Sequence, residues 1–297
     1  MPDPITPART AAAHAVSGAA AAPAGIAAAH ATPTGPSFAA AAAANLRRFV
    51  VGGRRDRAAM ANAVVTPALM YAIMRALFGD FMAAAQGLPE LDPLPLAVML
   101  VLASQLMNAV SAAAHDIRER DRGIAARIAT TPRGTAPMIA ATWVFAVLRS
   151  LAAGLSVLVM AFLLGLRLHE WAGAAWLAAT LVGGALAAAS LTVLIGAVGA
   201  APESAMGAMP LVMVLTFLNG GMVPVDGFAG AVQPIARHNP LTRFAQAAAG
   251  FDDSPARAVL DVPDPAHQAW ICAAWVAGAC AVLLAGAHLG RRRPVMS

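Results

Sequence analysis

Six long apolar stretches separated by short polar segments dominate this chain. None of them contains Asp or Glu, and each can cross roughly 30 Å of hydrocarbon as a helix rising about 1.5 Å per residue. Helices are the expected form in lipid, and the two-residue alternation of barrel strands is absent from the sequence. The pattern predicts an all-α polytopic membrane protein with six transmembrane helices, at approximately 58–79, 94–114, 138–166, 172–198, 206–223 and 268–289.

The segments that flank this region differ from it in composition. Residues 1–44 are rich in alanine and interrupted by prolines, which predicts a disordered tail. Residues 45–57 carry five arginines beside apolar side chains, a mixture that suits a short amphipathic segment lying at the membrane surface. The transmembrane domain is expected to occupy 58–290, with a basic tail at 291–297.

The arginines are distributed unevenly between the two sides of the predicted bundle. With the amino terminus inside, fourteen arginines fall in inside segments and four in outside segments. Cytoplasmic segments of membrane proteins carry the excess of basic residues. Both termini are therefore expected to face the cytoplasm, which agrees with an even number of spans.

Composition narrows the range of functions. Hydrophobic residues make up 59% of the chain and charged residues 12%, too few to cover a water-soluble globule. All 20 basic residues are arginine, so the chain lacks the lysine with which a P-loop grips ATP. An isoelectric point near 10.8 would favour nucleic-acid binding. The arginines flank the predicted spans, however, and the orientation of the chain in the membrane explains them. If the protein uses ATP, another polypeptide binds it.

The first inside loop, residues 115–134, combines charge with a helical apolar pattern. Ile117, Ile124 and Ile128 recur at helical spacing, charged residues occupy the other positions, and Pro132 ends the segment. A short helix with one apolar ridge would dock in a groove of a soluble partner, the charges fixing its register. A solvated positive-inside loop explains the same pattern equally well.

The outside segment before the last span has a different character. Residues 220–244 are too polar and too rich in proline for a span, yet apolar enough for an interface, and Pro224, Pro234 and Pro240 divide them into short pieces. We expect a pair of half-inserted helices that caps the outer face. An ordinary extracellular loop is the alternative.

Two arginines, Arg75 and Arg149, fall within apolar stretches, where a charge costs about 2.5–3.5 kcal/mol on insertion scales. Arg75 lies near the end of its stretch and can extend to the outer interface. Arg149 lies deeper. It either reaches the inner interface or faces the translocation path.

Other functional classes find less support. An ion-driven carrier generally uses an intramembrane carboxylate or histidine, and the predicted spans lack Asp and Glu. A membrane-embedded enzyme could use Asp252, Asp253, Asp261 and Asp264 to hold Mg²⁺, but these residues are expected to form a solvated acidic loop outside. The seven histidines show no metal-binding spacing, so no metal site is expected.

Several motifs, taken in order, resemble the ABC-2 family of ABC-exporter permeases, and within it the daunorubicin/doxorubicin-resistance branch of drug and complex-lipid exporters. The resemblance covers roughly residues 45–290. The motifs that carry it are Arg118-Glu-Arg-Asp-Arg-Gly-Ile-Ala-Ala-Arg-Ile with Thr131-Pro, Arg149, Leu164-Gly-Leu-Arg, Val223-Pro-Val-Asp, Gln233-Pro-Ile-Ala and His238-Asn-Pro-Leu-Thr.

The resemblance implies a specific assignment of roles. A coupling helix in the first cytoplasmic loop would contact the ATPase through Arg118, Glu119, Arg120, Gly123, Arg127 and Pro132. Pro224, Pro234, Asn239 and Pro240 would belong to outer re-entrant helices before the last span. The partners implied are two copies of an ABC ATPase, a second permease that is identical or paralogous, membrane lipids and an amphipathic substrate. ATP and Mg²⁺ would bind the ATPase, so this bacterial cell-membrane protein is expected to be neither an enzyme nor a cofactor protein.

Overall fold

The computed structural model describes residues 37–131, 134–221, 223–260, 262 and 264–292. In this part of the chain every regular element is helical, as the sequence predicts. The α-helices are α1 (Phe38–Arg55), α2 (Arg57–Gln86), α3 (Pro93–Asp121), α4 (Ile124–Ala129), α5 (Ala136–Leu163), α6 (Trp171–Val198), α7 (Pro202–Met206), α8 (Met209–Phe217), α9 (Gln233–His238), α10 (Pro240–Phe251) and α11 (Pro265–Arg292). Short 3-10 turns at Val225–Gly227 and Pro255–Arg257 complete the list.

Five of the described helices, α2, α3, α5, α6 and α11, are long and apolar enough to cross a membrane. They contain the cores of five predicted spans, although several extend further than the apolar stretch alone indicates. α2 continues to Gln86, where Gly87 ends it in a left-handed conformation, and α3 continues through charged residues to Asp121. Hydrophobicity therefore predicts where these helices cross lipid, while local capping sets where they end.

α3 is the central helix of the bundle. Its apolar side chains from Leu94 to Leu102 are almost completely buried, and they pack with residues of α2, α5, α6 and α10. By contrast, α2 and α11 expose large apolar side chains such as Leu77 and Leu284, each more than two-thirds exposed. Apolar side chains on the outside of a bundle suit a surrounding of lipid chains.

The first helix begins earlier than predicted. α1 starts at Phe38, capped by the Ser37 hydroxyl, so residues 38–44 are helical and the disordered tail predicted for 1–44 is wrong at its end. A run of alanines has the highest helix propensity, and a serine before it favours a helix start. Most of the interfacial segment predicted at 45–57 is the second half of this helix. Its Phe49 ring stacks on the Phe145 ring of α5, with 5.7 Å between the ring centroids. The remaining tail, 1–36, and the end of the basic tail, 293–297, lie outside the described residues.

The predicted fifth span, 206–223, is not one continuous helix. The chain forms the short helix α7, turns at Gly207 and Ala208, and forms the nine-residue α8, which ends at Phe217. The apolar composition is that of a span, but the turns at Gly207 and at Asn219–Gly221 interrupt the helical pattern of backbone hydrogen bonds. The prediction of a single helix is therefore wrong for this segment.

The broken segment nevertheless runs along the whole length of α3. Ala205 packs beside Ile117 near the end of α3, and Gly221 approaches the Pro95 carbonyl at its start. Ile117 and Pro95 are 22 residues apart, which is about 33 Å along a helix. Residues 205–221 thus cover the thickness of a hydrocarbon layer in two pieces.

Candidate functional site

The end of the bundle at which α3 finishes is called the basic end here, because Arg48, Arg118 and Arg120 lie there. At this end α3 stops at Asp121, and Gly123, with a φ of 76°, turns the chain into the six-residue α4. The prediction of one helix with a continuous ridge is therefore wrong. Ile117 belongs to α3 and is completely buried, whereas Ile124 and Ile128 lie half-buried on α4. A left-handed glycine breaks the helical register between them.

Two of the residues predicted to contact an ATPase are engaged within the chain. Arg120 donates hydrogen bonds to the Gly196 and Gly199 carbonyl oxygens, at 2.9 and 2.7 Å, and so caps the end of α6. Glu119 is largely buried and forms an ion pair with Arg48 of α1 at 3.1 Å. These contacts hold α1 and α6 to the end of α3. Both side chains serve the fold at this end.

Two other predicted contact residues, Arg118 and Arg127, lie on an exposed surface, which we call the α3–α4 corner. It comprises Arg118, Asp121, Arg122 and Arg127, all exposed, around the Gly123 turn. Pro132 lies outside the described residues. The corner is small and highly charged, and it joins the end of the long, well-packed α3 to the short α4. Such a surface suits charge-guided docking of another protein.

A cavity of about 120 Å³, lined mainly by apolar surface with several polar side chains, opens between α2, α3 and α5. We call it the Arg149 cavity, because the half-buried Arg149 reaches it from α5 and donates a hydrogen bond from Nε to the Asn108 Oδ1 atom at 3.1 Å. Its polar lining comes from Asn62, Thr66, Ser104, Asn108, Ser111 and Arg149. Both alternatives for Arg149, the inner interface and the translocation path, stay predictions, since its side chain lines this cavity and is also influenced by Asp56 at the start of α2. Arg75, the other arginine of an apolar stretch, lies toward the far end of α2, close to Gly165.

The end opposite the basic end is closed by α10. The Asn239 side chain accepts from the Leu241 N–H and donates to the Leu215 and Leu218 carbonyl oxygens, at 2.7 and 2.6 Å. Thr242 accepts a bond from the Gly220 N–H and donates to the Ala236 carbonyl oxygen. Asn239 and Thr242 therefore bind α10 to the broken segment and to α9.

The prolines predicted for this region occupy helix starts. Pro240 is the first residue of α10, Pro234 lies in the first turn of α9, and Pro224 precedes the Val225–Gly227 turn. Proline is suited to these positions because the first turn of a helix needs no N–H donor. Nine of the twelve α10 residues are buried. α10 packs on α3 beside Phe244 and Ala245, so this segment is part of the bundle core.

Asp252, at the end of α10, was expected in a solvated acidic loop and is instead fully buried. One of its oxygens accepts hydrogen bonds from the His169 and Glu170 N–H groups, at 2.8 and 3.1 Å, and the other lies 3.0 Å from the His169 Nδ1. Gly173 leaves the space that this carboxylate fills. Asp252 thus ties α10 to the start of α6, where a helix dipole favours negative charge. Its neighbour Asp253 is exposed, as expected, and it forms an ion pair with Arg257.

The bond to Asp252 raises the pKa of His169 above its ordinary value. Because this pKa is higher in the folded chain, the contribution to stability is fully present below about pH 6.5 and is lost as the pH rises through the raised value. We expect the thermal unfolding midpoint of the detergent-purified chain to fall between about pH 6 and pH 9. The effect is small, under about 1 kcal/mol, since half of the imidazole is exposed. A His169→Gln variant should show a flatter profile, and an identical slope would contradict this assignment.

One residue that was not singled out from the sequence lies at the centre of the bundle. Gln105 of α3 is completely buried and donates to the Leu181 carbonyl oxygen of α6 at 2.8 Å. It fits between Gly154 and Gly184, where any larger residue would collide with it. An amide inside an apolar stretch, facing two glycines on other helices, is a signal that could have identified this contact.

A comparison with known protein families assigns this helical bundle to one of them. The model of the ABC-2 type transporter family matches residues 41–250, which is most of the bundle. The chain therefore belongs to the ABC-2 type transporter family, and it is a permease subunit of an ABC transporter. It is a multi-pass protein of the bacterial cell membrane, and membership of this family implies association with an ABC ATPase subunit.

The similarity extends to the drug-resistance branch of the family. The chain is 24% identical over 253 residues to the probable doxorubicin resistance ABC transporter permease protein DrrC of Mycobacterium tuberculosis, in strain CDC 1551 / Oshkosh and in strain ATCC 25618 / H37Rv. The matched region covers 83% of this chain and 86% of the relative. The resemblance inferred from the sequence motifs is thereby confirmed.

Proposed function

We propose that the chain is the membrane-spanning half of an ATP-driven exporter that moves an amphipathic drug or lipid from the cytoplasmic leaflet outward. Two permeases, identical or paralogous, would work with two ATPase subunits that bind ATP and Mg²⁺. The chain itself would carry neither cofactor nor catalytic group. The name of the DrrC relatives supports a drug as one substrate class.

In the proposed arrangement the chain crosses the membrane six times. α2, α3, α5, α6 and α11 supply five crossings, and the broken segment that runs along α3 supplies the sixth. The excess of arginine at the basic end supports a cytoplasmic location for that end and for both termini. α9 and α10 would then form the re-entrant cap on the outer face.

The α3–α4 corner carries the proposal. Its four exposed charges lie at the basic end, next to residues that clamp α1 and α6 to α3. A force applied to the corner by a closing ATPase dimer would pass through Arg120 to α6 and through Glu119 to α1. The corner is therefore suited to convert ATPase closure into rigid-body movement of the bundle.

Transport in vesicles tests this function directly. The chain, reconstituted with its cognate ABC ATPase, should accumulate a fluorescent amphipathic drug or lipid in vesicles on addition of ATP and Mg²⁺. A mutation of the Walker lysine in the ATPase should remove the accumulation and serves as the control. Accumulation driven by a proton gradient, in vesicles that contain this chain without an ATPase, would instead establish an ion-coupled carrier.

A further inference from the structure

Arg149 brings a positive charge into the bundle that no neighbouring carboxylate neutralises. Among the described residues, none of the ion pairs formed within 4.0 Å includes Arg149. Asp56 acts on it from a greater distance. The bond to Asn108 uses only the Nε–H, so the terminal N–H groups of the guanidinium are available. These groups form the fork that binds carboxylate and phosphate oxygens.

Other side chains that line the Arg149 cavity also offer hydrogen-bond donors and acceptors. Asn62 accepts a hydrogen bond from the Thr66 hydroxyl at 2.5 Å, which leaves its amide N–H groups as donors. Ser104 and Ser111 donate to carbonyl oxygens of their own helix, so their hydroxyl oxygens remain as acceptors. No Asp or Glu belongs to the described lining. The cavity therefore offers donors and one cation to an anionic group.

The size of the cavity limits it to one chemical group of a larger molecule. A volume of about 120 Å³ corresponds to roughly four water molecules, which is enough for a phosphate or carboxylate group and too little for a whole drug. Anything larger must extend out of the cavity. Val65, Leu69 and Ile73 form an exposed apolar stripe on α2, each at least half exposed, beside the cavity-lining Thr66 and Met70. This stripe suits an acyl chain or another apolar part.

The depth of the cavity separates it from the membrane surface. Asn108 precedes Arg118 by ten residues, which is about 15 Å along α3. A headgroup at rest in the lipid interface lies at the level of the surface arginines. On α2, Asn62 follows Arg57 by only five residues, which is about 8 Å, so a headgroup enters the cavity by a short movement from the interface into the bundle.

We propose that the Arg149 cavity binds the phosphate or carboxylate group of an amphipathic molecule while its apolar part lies along Val65, Leu69 and Ile73. Arg149 and Asn62 donate to the anionic group, and Asn108 orients the guanidinium. The inference deepens the proposed function, on which it rests, by assigning the transported amphiphile to the anionic class. The binding step itself requires no ATPase.

The test compares two ligands that differ only in the phosphate. The detergent-purified chain is titrated with 1-oleoyl lysophosphatidic acid and with 1-oleoylglycerol, and bound ligand is counted by native mass spectrometry. We expect the phosphate-bearing ligand to bind at least about tenfold more tightly, the size of one charge-assisted hydrogen bond. Arg149→Gln should remove this preference, so that both ligands bind with similar affinity. Arg75→Gln, at the other half-buried arginine of an apolar stretch, is the matched control and should retain the preference.

A second variant protects the test against misfolding. Ser111→Asp places a carboxylate at an exposed position of the lining without touching the Arg149–Asn108 bond, and it should also lower lysophosphatidic acid binding about tenfold. Equal binding of both ligands to the unmutated chain overturns the proposal, as does a preference that survives both cavity variants. Inorganic phosphate that competes as well as the lipid would overturn the amphiphile assignment. If ATPase co-purification persists in any of these cases, only this inference falls and the proposed function stands.

Discussion

Reversing two exposed charges, Arg118→Glu together with Arg127→Glu, should abolish co-purification of the cognate ABC ATPase with this chain. Both side chains belong to the α3–α4 corner and are exposed, so their replacement leaves the packing of α3 intact. Each reversal turns an attraction into a repulsion worth at least about 1.4 kcal/mol, so the pair should weaken the complex about a hundredfold or more. Pull-down of a tagged permease followed by quantification of the ATPase measures the loss.

The control for this experiment reverses charges at the opposite end. Arg167→Glu with Arg237→Glu changes the net charge equally at two exposed positions far from the corner. It removes only an exposed ion pair between Arg237 and Asp226, and it should leave the ATPase yield unchanged. Glu119 and Arg120 are unsuitable for the purpose, since one pairs with Arg48 and the other caps α6. Full recovery of the ATPase with the Arg118→Glu and Arg127→Glu chain would remove the corner from the docking site.

The largest effect on stability is expected from Asp252→Ala. This change removes a fully buried carboxylate, leaves the partly buried His169 and Glu170 N–H groups without their acceptor, and opens a cavity beside Gly173. Each unsatisfied buried donor costs about 1–3 kcal/mol, so the total should reach about 3 kcal/mol or more. Thermal unfolding of the detergent-purified chain should show a midpoint lowered by several degrees or a failure to accumulate in membranes.

The neighbouring aspartate provides the matched comparison. Asp253 is exposed, pairs with Arg257 and has a φ of 49°. Asp253→Ala should cost less, about 1–2 kcal/mol, since an exposed ion pair contributes little and most of the loss is the strain of alanine in left-handed backbone. If the two variants were equally stable, Asp252 would not hold α10 to α6.

The sequence predicted the long helices well because lipid imposes one simple requirement, a run of apolar residues. It failed for 206–223, since the same apolar content is compatible with a helix broken at Gly207 and ended before Asn219. Pro210, which has no N–H to donate, accounts for the break before α8, and the end after Phe217 is accompanied by a tertiary contact, the bond from the Gly220 N–H to Thr242. A hydrophobic pattern carries no information about such a partner 22 residues away.

The local structure of the candidate site differs from the one that the sequence predicted. The spacing of Ile117, Ile124 and Ile128 predicted one apolar ridge on a single helix. Hydrophobic periodicity alone does not show that Gly123 adopts a left-handed conformation and ends that helix. Glu119 and Arg120 could not be separated from Arg118 by sequence alone, because their partners lie on α1 and α6. Asp252 was missed for the same reason, since its donors precede it by more than 80 residues.

Labelling from the two sides of the membrane tests the central claim most directly, that the α3–α4 corner faces the cytoplasm and its motor. Single cysteines at Arg127→Cys and at the half-exposed Ile235→Cys are introduced into a chain whose Cys272 and Cys280 are replaced by alanine. A membrane-impermeant maleimide added to intact cells should label position 235 and leave position 127 unlabelled until the membrane is permeabilised. Labelling of position 127 from outside, with position 235 protected, would contradict the account.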